Sequence, residues 1–234
     1  MQLKGRRALI TGASRGIGRA VAEAMAEAGA EVHCLSRDPS QVESLARDSG
    51  GRAWPCDLSD DALVWSSIDD LIETSGVPDI VVNSGGAFSI APLAETTLAQ
   101  FDEMINVNLR GSFILIRALL PAMLERGSGD IINIGSVAGR KAFPSNGAYS
   151  ASKYGLRGMH EVLLEEVRGT GVRTTLVEPA ATDTPLWDPL DPDNDPNLPG
   201  RGQMLRPEDV ADAVTFAVSR PSHVRIPVLQ IERG

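Results

Sequence analysis

Arg6-Arg7-Ala8-Leu9-Ile10-Thr11-Gly12-Ala13-Ser14-Arg15-Gly16-Ile17-Gly18 is the stretch that decides the fold. An apolar run, Arg6–Thr11, has the length of a buried strand. It passes directly into glycines at 12, 16 and 18, and an amphipathic pattern over Gly16–Ala28 predicts a helix. A strand, a glycine turn and a helix in immediate succession form a phosphate cradle. Glycine lets the backbone bend sharply and come close to a pyrophosphate, and the helix N-terminus presents unpaired N–H groups with a partial positive charge. The G-x-x-x-G-x-G spacing differs from G-x-G-x-x-G but serves the same mechanics.

The rest of the chain repeats this alternation. Further strands are predicted at Glu31–Ser36, Arg52–Cys56, Asp79–Val82, Asp130–Ile134, Val172–Val177 and Pro227–Ile231. Helices are predicted at Pro39–Ser49, Ser59–Thr74, Leu98–Glu125, Tyr149–Gly169 and Pro207–Arg220. Ser59 is expected to cap its helix, with Asp60-Asp61 in the first turn; Pro207 is expected at the first position of the last one. The pattern predicts an α/β fold, a seven-stranded parallel sheet doubly wound with helices on both faces. The 234 residues fit one domain with a single core. Pro185 to Arg206, rich in Pro, Asp, Asn and Gly, breaks the rhythm and is expected to form a flap over the substrate site. Its Asp191-Pro-Asp193-Asn-Asp195 lacks the glycine and glutamate of a calcium loop, with Pro196 and Gly202 at those places, so no metal site is expected.

A net charge of −9 argues against nucleic acid or an anionic membrane as partner. No run is read as long enough to span a bilayer, and Arg6-Arg7 is followed too soon by the glycine loop for a signal peptide. Cys34 and Cys56 read as buried free thiols. These features place the protein in a reducing cytoplasm.

The end of the second strand discriminates between cofactors. An acid there would bind ribose hydroxyls, and an arginine favours a 2′-phosphate. Ser36 stands where the carboxylate is expected, Arg37 follows, and Arg15 adds a cation from the glycine loop. The pair points to NADP(H) ahead of NAD(H), with Asp38 as the alternative ribose ligand. Asp57 and Leu58, after the third strand, are placed at the adenine, and Asn83-Ser84-Gly85-Gly86, after the fourth, at the adenosine ribose.

Tyr149 and Lys153 at i and i+4 lie on one helix face. Phenol titrates near pH 10 and is a poor base at neutrality. Lys153 would favour the phenolate, a change that needs about 3–4 kcal/mol of differential stabilisation. Tyr149 then exchanges a proton with an alcohol or carbonyl oxygen, and Ser136 hydrogen-bonds that oxygen. Taken singly, each of the three also reads as ordinary: a buried tyrosine, a solvated lysine, a turn serine.

Taken together with Thr11–Gly18, Asn83-Ser84-Gly85-Gly86, Asn108, Pro179 and Thr184, the chain resembles the short-chain dehydrogenase/reductase family over essentially its whole length. The resemblance implies a Rossmann-type fold and a hydride-transferring oxidoreductase. It makes Tyr149 the acid/base, Ser136 its substrate-orienting partner and Lys153 a ligand of the nicotinamide ribose. Asn108 would hold a proton-relaying water; Pro179, Thr182 and Thr184 would hold the nicotinamide carboxamide. With Gly12, Ser14, Arg15, Gly16, Ile17 and Gly18 these complete the implied cofactor site. The sequence departs from the family at Ser84-Gly85, at Ala180 after Pro179, and at the C-terminus, whose usual glycine-rich ending contributes to a tetramer interface. A homo-oligomer, dimer or tetramer, is expected. Gly155 and Gly158 read equally as sites of helix contact within or between subunits.

The expected substrate is a small carbonyl/secondary-alcohol pair. A 3-oxoacyl thioester is an alternative, suggested by Arg140-Lys141, although two basic residues in a surface turn account for that dipeptide as well. Phe88, Phe143 and Trp187 are expected around the pocket. A non-catalytic NADP sensor is the competing class. The Tyr149–Lys153 spacing disfavours an enoyl reductase, and Gly135-Ser136 lacks the nucleophile elbow of a hydrolase.

Overall fold

A computed structural model describes residues 2–234. Seven strands form one parallel sheet: β1 (Arg7–Thr11), β2 (Glu31–Ser36), β3 (Ala53–Pro55), β4 (Ile80–Asn83), β5 (Gly129–Ile134), β6 (Val172–Pro179) and β7 (Val228–Ile231). Their order is β3-β2-β1-β4-β5-β6-β7. The order reverses between β1 and β4, where an α/β sheet opens a crevice at its carboxyl edge.

Alternation along each strand feeds two cores. Ala8 and Ile10 of β1, Ile80 and Val82 of β4, and Ile132 and Ile134 of β5 meet α1 (Gly16–Glu27), α2 (Glu43–Asp48) and α7 (Pro207–Val218) on one face. Leu9, Val81 and Ile131 meet α3 (Asp61–Ser75) and α5 (Gly111–Arg126) on the other. Two further helices, α4 (Leu98–Ile105) and α6 (Gly147–Glu166), flank the crevice. The strands are apolar on both sides because both sides are covered.

Four local expectations are corrected. The helix expected over Pro39–Ser49 is a 3₁₀ turn, Pro39–Gln41, followed by short α2. Asp38 caps the turn through Ser40 N, and the fully buried Val42 leaves helical geometry between the two. The cap of α3 is Asp60, whose Oδ1 accepts from Leu63 N at 3.1 Å; Ser59 instead turns back to Asp57. The helix expected over Leu98–Glu125 runs through a π turn at Asn106–Arg110 that separates α4 from α5. α6 begins at Gly147, so Tyr149 lies in its first turn.

That long helix, Leu98–Arg126, also corrects the reading of membrane segments. It is long and apolar enough by length and composition to cross a bilayer. Its Leu115, Leu119 and Met123, however, are buried in the second core, as befits a core helix.

Charges gather at the amino edge of the sheet, away from the crevice. Asp130, almost fully buried, lies 2.5 Å from Arg6 Nη2 and 2.7 Å from Arg173 Nε. Two guanidiniums thus leave the buried carboxylate without an unpaired negative charge.

Cys34 and Cys56 are buried and unpaired, and burial pushes the thiols up to about 12 and about 11 respectively. Thiolate is the reactive form. The native protein should therefore leave both thiols unmodified by a thiol reagent at about pH 8, and both should react after unfolding in denaturant, counted by mass.

Candidate active site

The crevice begins where β1 ends. Thr11 Oγ1 accepts from Ser84 N at 3.0 Å and Gly85 N at 2.9 Å, tying the loop after β4 to the end of β1. Gly12 has φ +66, and a Cβ there would stand 2.7 Å from Gly85 Cα. A Cβ on Gly18 would stand 2.4 Å from the Gly12 carbonyl oxygen. Only glycine fits either place. The first turn of α1 carries no acid and no side-chain cap, so its N–H groups face the cleft without a protein partner from a cap. These are the features of an anion cradle.

A cavity of about 450 Å³ runs from this cradle, lined by Gly12, Ser14, Arg15, Gly16, Ile17 and Gly18, to the ends of β2 and β3, where Ser36, Arg37, Asp57 and Leu58 lie. Arg15 and Arg37 form no ion pair with a carboxylate among the described residues, whereas Asp38 is engaged. Its carboxylate accepts from Ser40 N, Ser40 Oγ and Gln41 Nε2, bonds that hold it below the usual carboxylate range. Asp57 is likewise held low by Ser59, with Arg37 adding a smaller effect.

A second cavity, about 1060 Å³, holds Ser136, Tyr149, Lys153, Pro179, Thr182 and Thr184. Ile17, Ser84, Phe88 and Thr184 line both cavities, which makes one continuous cleft. Gly85 borders the first. The residues present fit a dinucleotide: a side-chain-free cradle in the middle, cations at one end, and a phenol and an ammonium at the other.

Two predicted residues are not part of the cleft lining. Asn83 points into the sheet, donating to Asn133 Oδ1 at 2.8 Å. Asn108, on the π turn, accepts from Ala87 N at 2.7 Å and donates to Ala87 O and Ser152 Oγ, each at 3.0 Å. Its amide is spent on clamping the cleft wall to α6, since Ser152 Oγ in turn donates to the Tyr149 carbonyl at 2.7 Å.

Lys153 is almost fully buried and donates from Nζ to Ile134 O at 2.9 Å. Burial brings its pKa down from 10.5 to about 8. Tyr149 is pushed above 10 by burial, while the Ser136 hydroxyl bonded to it pulls the other way. Without a cofactor, Lys153 does not by itself bring the phenol down. Its Nζ sits 5.8 Å from the ring centroid, on the carbonyl of Ile134, and desolvation of the phenolate prevails.

The segment expected as a flap folds into a 3₁₀ helix, Pro185–Leu190, and a short turn, Arg201–Gln203. Arg201 gathers it by pairing with Asp183 and Asp188. From it Trp187 packs edge-on against Phe88 at 5.0 Å, and Phe88 against Tyr149 at 4.8 Å. Arg140 lies in the cavity but is 2.5 Å from Glu232 and 3.5 Å from the buried Glu178. Glu232, Arg233 and Asn146 also line the cleft and were not anticipated. The two tail residues arrive through the register of β7 on β6, which leaves no local signal. Asn146, just before a helix, reads as an ordinary cap.

The family model for short chain dehydrogenases matches residues 6–195. The chain belongs to this family. It is 36% identical to D-threitol dehydrogenase of Mycolicibacterium smegmatis, over 93% of this chain and 87% of that protein. A metagenomic short-chain oxidoreductase in complex with NADP superposes with a TM-score of 0.84 at 31% identity, covering 100% of this chain and 99% of the other. The 3-ketoacyl-(acyl-carrier-protein) reductase of Brucella melitensis superposes at 0.85 with 28% identity, covering 99% and 98%.

Lys153 generates a pH test of this short-chain dehydrogenase fold. Its folded pKa lies below its unfolded value, so the unfolded chain binds the proton more tightly. The resulting penalty on folding is complete below about pH 8 and is relieved as pH rises towards 10.5. Lys153→Met removes it. The melting temperature of the variant minus that of the parent should be more positive at about pH 7 than at about pH 9.5; a difference independent of pH would contradict the buried ammonium.

Proposed function

We propose that the protein is an NADP(H)-dependent oxidoreductase that interconverts a carbonyl and a secondary alcohol, with Tyr149 as general acid/base. The observation that carries this reading is the Ser136–Tyr149–Lys153 group in the wall of the larger cavity, which is continuous with the glycine cradle. When bound, the nicotinamide supplies or accepts the hydride. Tyr149 donates its phenolic proton to the oxygen of a carbonyl as that oxygen becomes an alkoxide, or takes it back from an alcohol. Ser136, whose hydroxyl favours the ionised form of the same phenol, orients the substrate oxygen. Lys153, whose Nζ donates to Ile134 O, would hold the nicotinamide ribose. Thr182 and Thr184 are expected at the carboxamide, and the Pro185–Arg206 segment covers the substrate and excludes water.

The phosphate preference rests on Arg15 and Arg37. Neither forms an ion pair with a carboxylate among the described residues, and Asp38, the available ribose ligand, is occupied by its own turn. A 3-oxoacyl thioester stays in the substrate panel because of the likeness to a 3-ketoacyl reductase. Arg140 gives it less support than its sequence position suggested, being committed to Glu178 and Glu232. The exposed apolar residues Phe101 and Phe113, on one side of the long helix, and Tyr154 and Val162 on α6 support assembly as a homo-oligomer. Gly155 packs within the subunit, against Leu109, and Gly158 meets nothing.

Turnover of ketones, aldehydes and 3-oxoacyl thioesters with NADPH tests the chemistry. Tyr149→Phe should reduce kcat by about 10²–10⁴-fold, the usual contribution of a positioned acid/base. Unchanged turnover would remove Tyr149 from the reaction, and no turnover of any substrate by the parent would favour a sensor.

Cofactor choice is tested separately. Each charge-assisted phosphate contact contributes about 1.5–3 kcal/mol. Arg15→Ala and Arg37→Ala should each raise the KM for NADPH roughly tenfold or more and leave that for NADH nearly unchanged. A parent enzyme that works better with NADH would overturn the assignment.

A further inference from the structure

The ring of Tyr149 does not stand alone in its cavity. The Phe88 centroid lies 4.8 Å from that of Tyr149 at an interplanar angle of 72°, and 5.0 Å from that of Trp187 at 61°. Both are edge-to-face contacts, an arrangement that aromatic pairs prefer. Phe88 lines both cavities, so it stands where the glycine-floored cleft passes into the space that holds Ser136 and Lys153. Three rings thus run in a row from the Pro185–Leu190 3₁₀ helix to the first turn of α6.

The row is pinned at its ends by bonds that do not involve the rings. Ala87, next to Phe88, donates its N–H to the Asn108 amide at 2.7 Å and accepts from it at 3.0 Å. The same amide donates to Ser152 Oγ at 3.0 Å, and Ser152 Oγ donates to the Tyr149 carbonyl at 2.7 Å. The backbones that carry Phe88 and Tyr149 therefore share one anchor. Trp187 is fixed from the other side. Its N–H donates to the Thr184 carbonyl at 3.1 Å, and its neighbour Asp188 pairs with Arg201, which also pairs with Asp183. A fixed backbone still leaves a side chain a choice of staggered wells. Packing against a neighbouring ring narrows that choice, for Phe88 against Trp187 and for Tyr149 against Phe88.

We propose that Phe88 is a positioning residue for proton transfer by Tyr149: its ring sets where the phenol stands, and Trp187 sets where Phe88 stands. This rests on the reading of Tyr149 as the acid/base. Proton transfer needs the phenolic oxygen within hydrogen-bond reach of the substrate oxygen. A misplacement of about 1 Å can cost a factor of about 10² in rate. Trp187, on the segment that covers the site, then acts on the reaction through a ring it holds in place.

The test uses Phe88→Leu, Trp187→Leu, the double variant and the ring-keeping Trp187→Phe. Single-turnover oxidation of NADPH is followed with the smallest and the largest ketone that the parent reduces. In protein without cofactor, NMR follows the labelled rings of the two tyrosines, Tyr149 and Tyr154. Each leucine variant should slow the single-turnover rate roughly tenfold or more, equally for both ketones and with little change in KM. The double variant should be no slower than Phe88→Leu, because residues that act as a unit are not additive. Trp187→Phe should keep most of the rate. The Tyr149 ring signal should broaden or split in both leucine variants, while that of the exposed Tyr154 stays as it is. Losses that multiply in the double variant would overturn the proposal, and so would losses that grow with the size of the ketone, which would make the rings a wall for the substrate. An unchanged Tyr149 signal in Phe88→Leu would overturn it as well. Broadened Tyr149 signals in the variants of a protein that turns over no carbonyl compound would keep the positioning role and sink the reductase reading. Turnover at the parent rate in both leucine variants would do the opposite.

Discussion

The contact between Gly18 and the Gly12 carbonyl leaves room for a hydrogen atom and no side chain. Most of the cleft depends on it. Because α1 can press so closely on the end of β1, its first turn faces the crevice and the loop after β4 can settle on Thr11. Gly12 and Gly85 then approach each other backbone to backbone, again at a distance no Cβ would tolerate. The floor of the site is therefore main chain, which gives an anion donors and no steric opposition. Side-chain chemistry is left to the two ends of the cleft.

Those ends are braced by buried polar groups. Asn108 joins Ala87 to Ser152, and Ser152 donates to the Tyr149 carbonyl, so the cleft wall is tied to the first turn of α6. Beneath them a second chain runs from Asn83 through Asn133 towards His160, whose Nε2 meets the Pro227 carbonyl at 3.0 Å. Burial holds the His160 pKa below its usual value, consistent with a neutral ring that completes the chain. Such networks rigidify a core when every member is satisfied. Here Asn83 Oδ1 is left over, and the structure offers no account of it.

The fold was legible because each strand is apolar on both faces and each turn carries its own chemistry. The errors fell where a local signal met a tertiary one. Ser59 looked like a cap, but Asp57 claimed its hydroxyl, and the next residue was free to cap instead. Val42 interrupted a helix that its neighbours would continue, because the core needed it. The site was legible where residues touch through one helix or one loop: Tyr149 with Lys153, and the glycines with one another. It was not legible where pairing comes from sheet register or from an unspent bond. Arg140 looked like an anion site until Glu178 and Glu232, far away in sequence, were seen to neutralise it.

Spacing alone also leaves out what burial does to Tyr149 and Lys153. An ammonium one turn from a phenol should lower its pKa, yet both groups lie where charge is poorly solvated, so burial opposes phenolate and ammonium alike. Lys153 approaches neutrality near pH 8 while Tyr149 keeps its proton. The protein by itself thus presents a protonated phenol, the form required of an acid that protonates a developing alkoxide. Work in the oxidative direction needs the phenolate, hence further positive charge beside it. A bound nicotinamide, cationic when oxidised and neutral when reduced, would supply that asymmetry. The same burial that makes Tyr149 a poor base in isolation would couple its protonation to the oxidation state of the cofactor beside it.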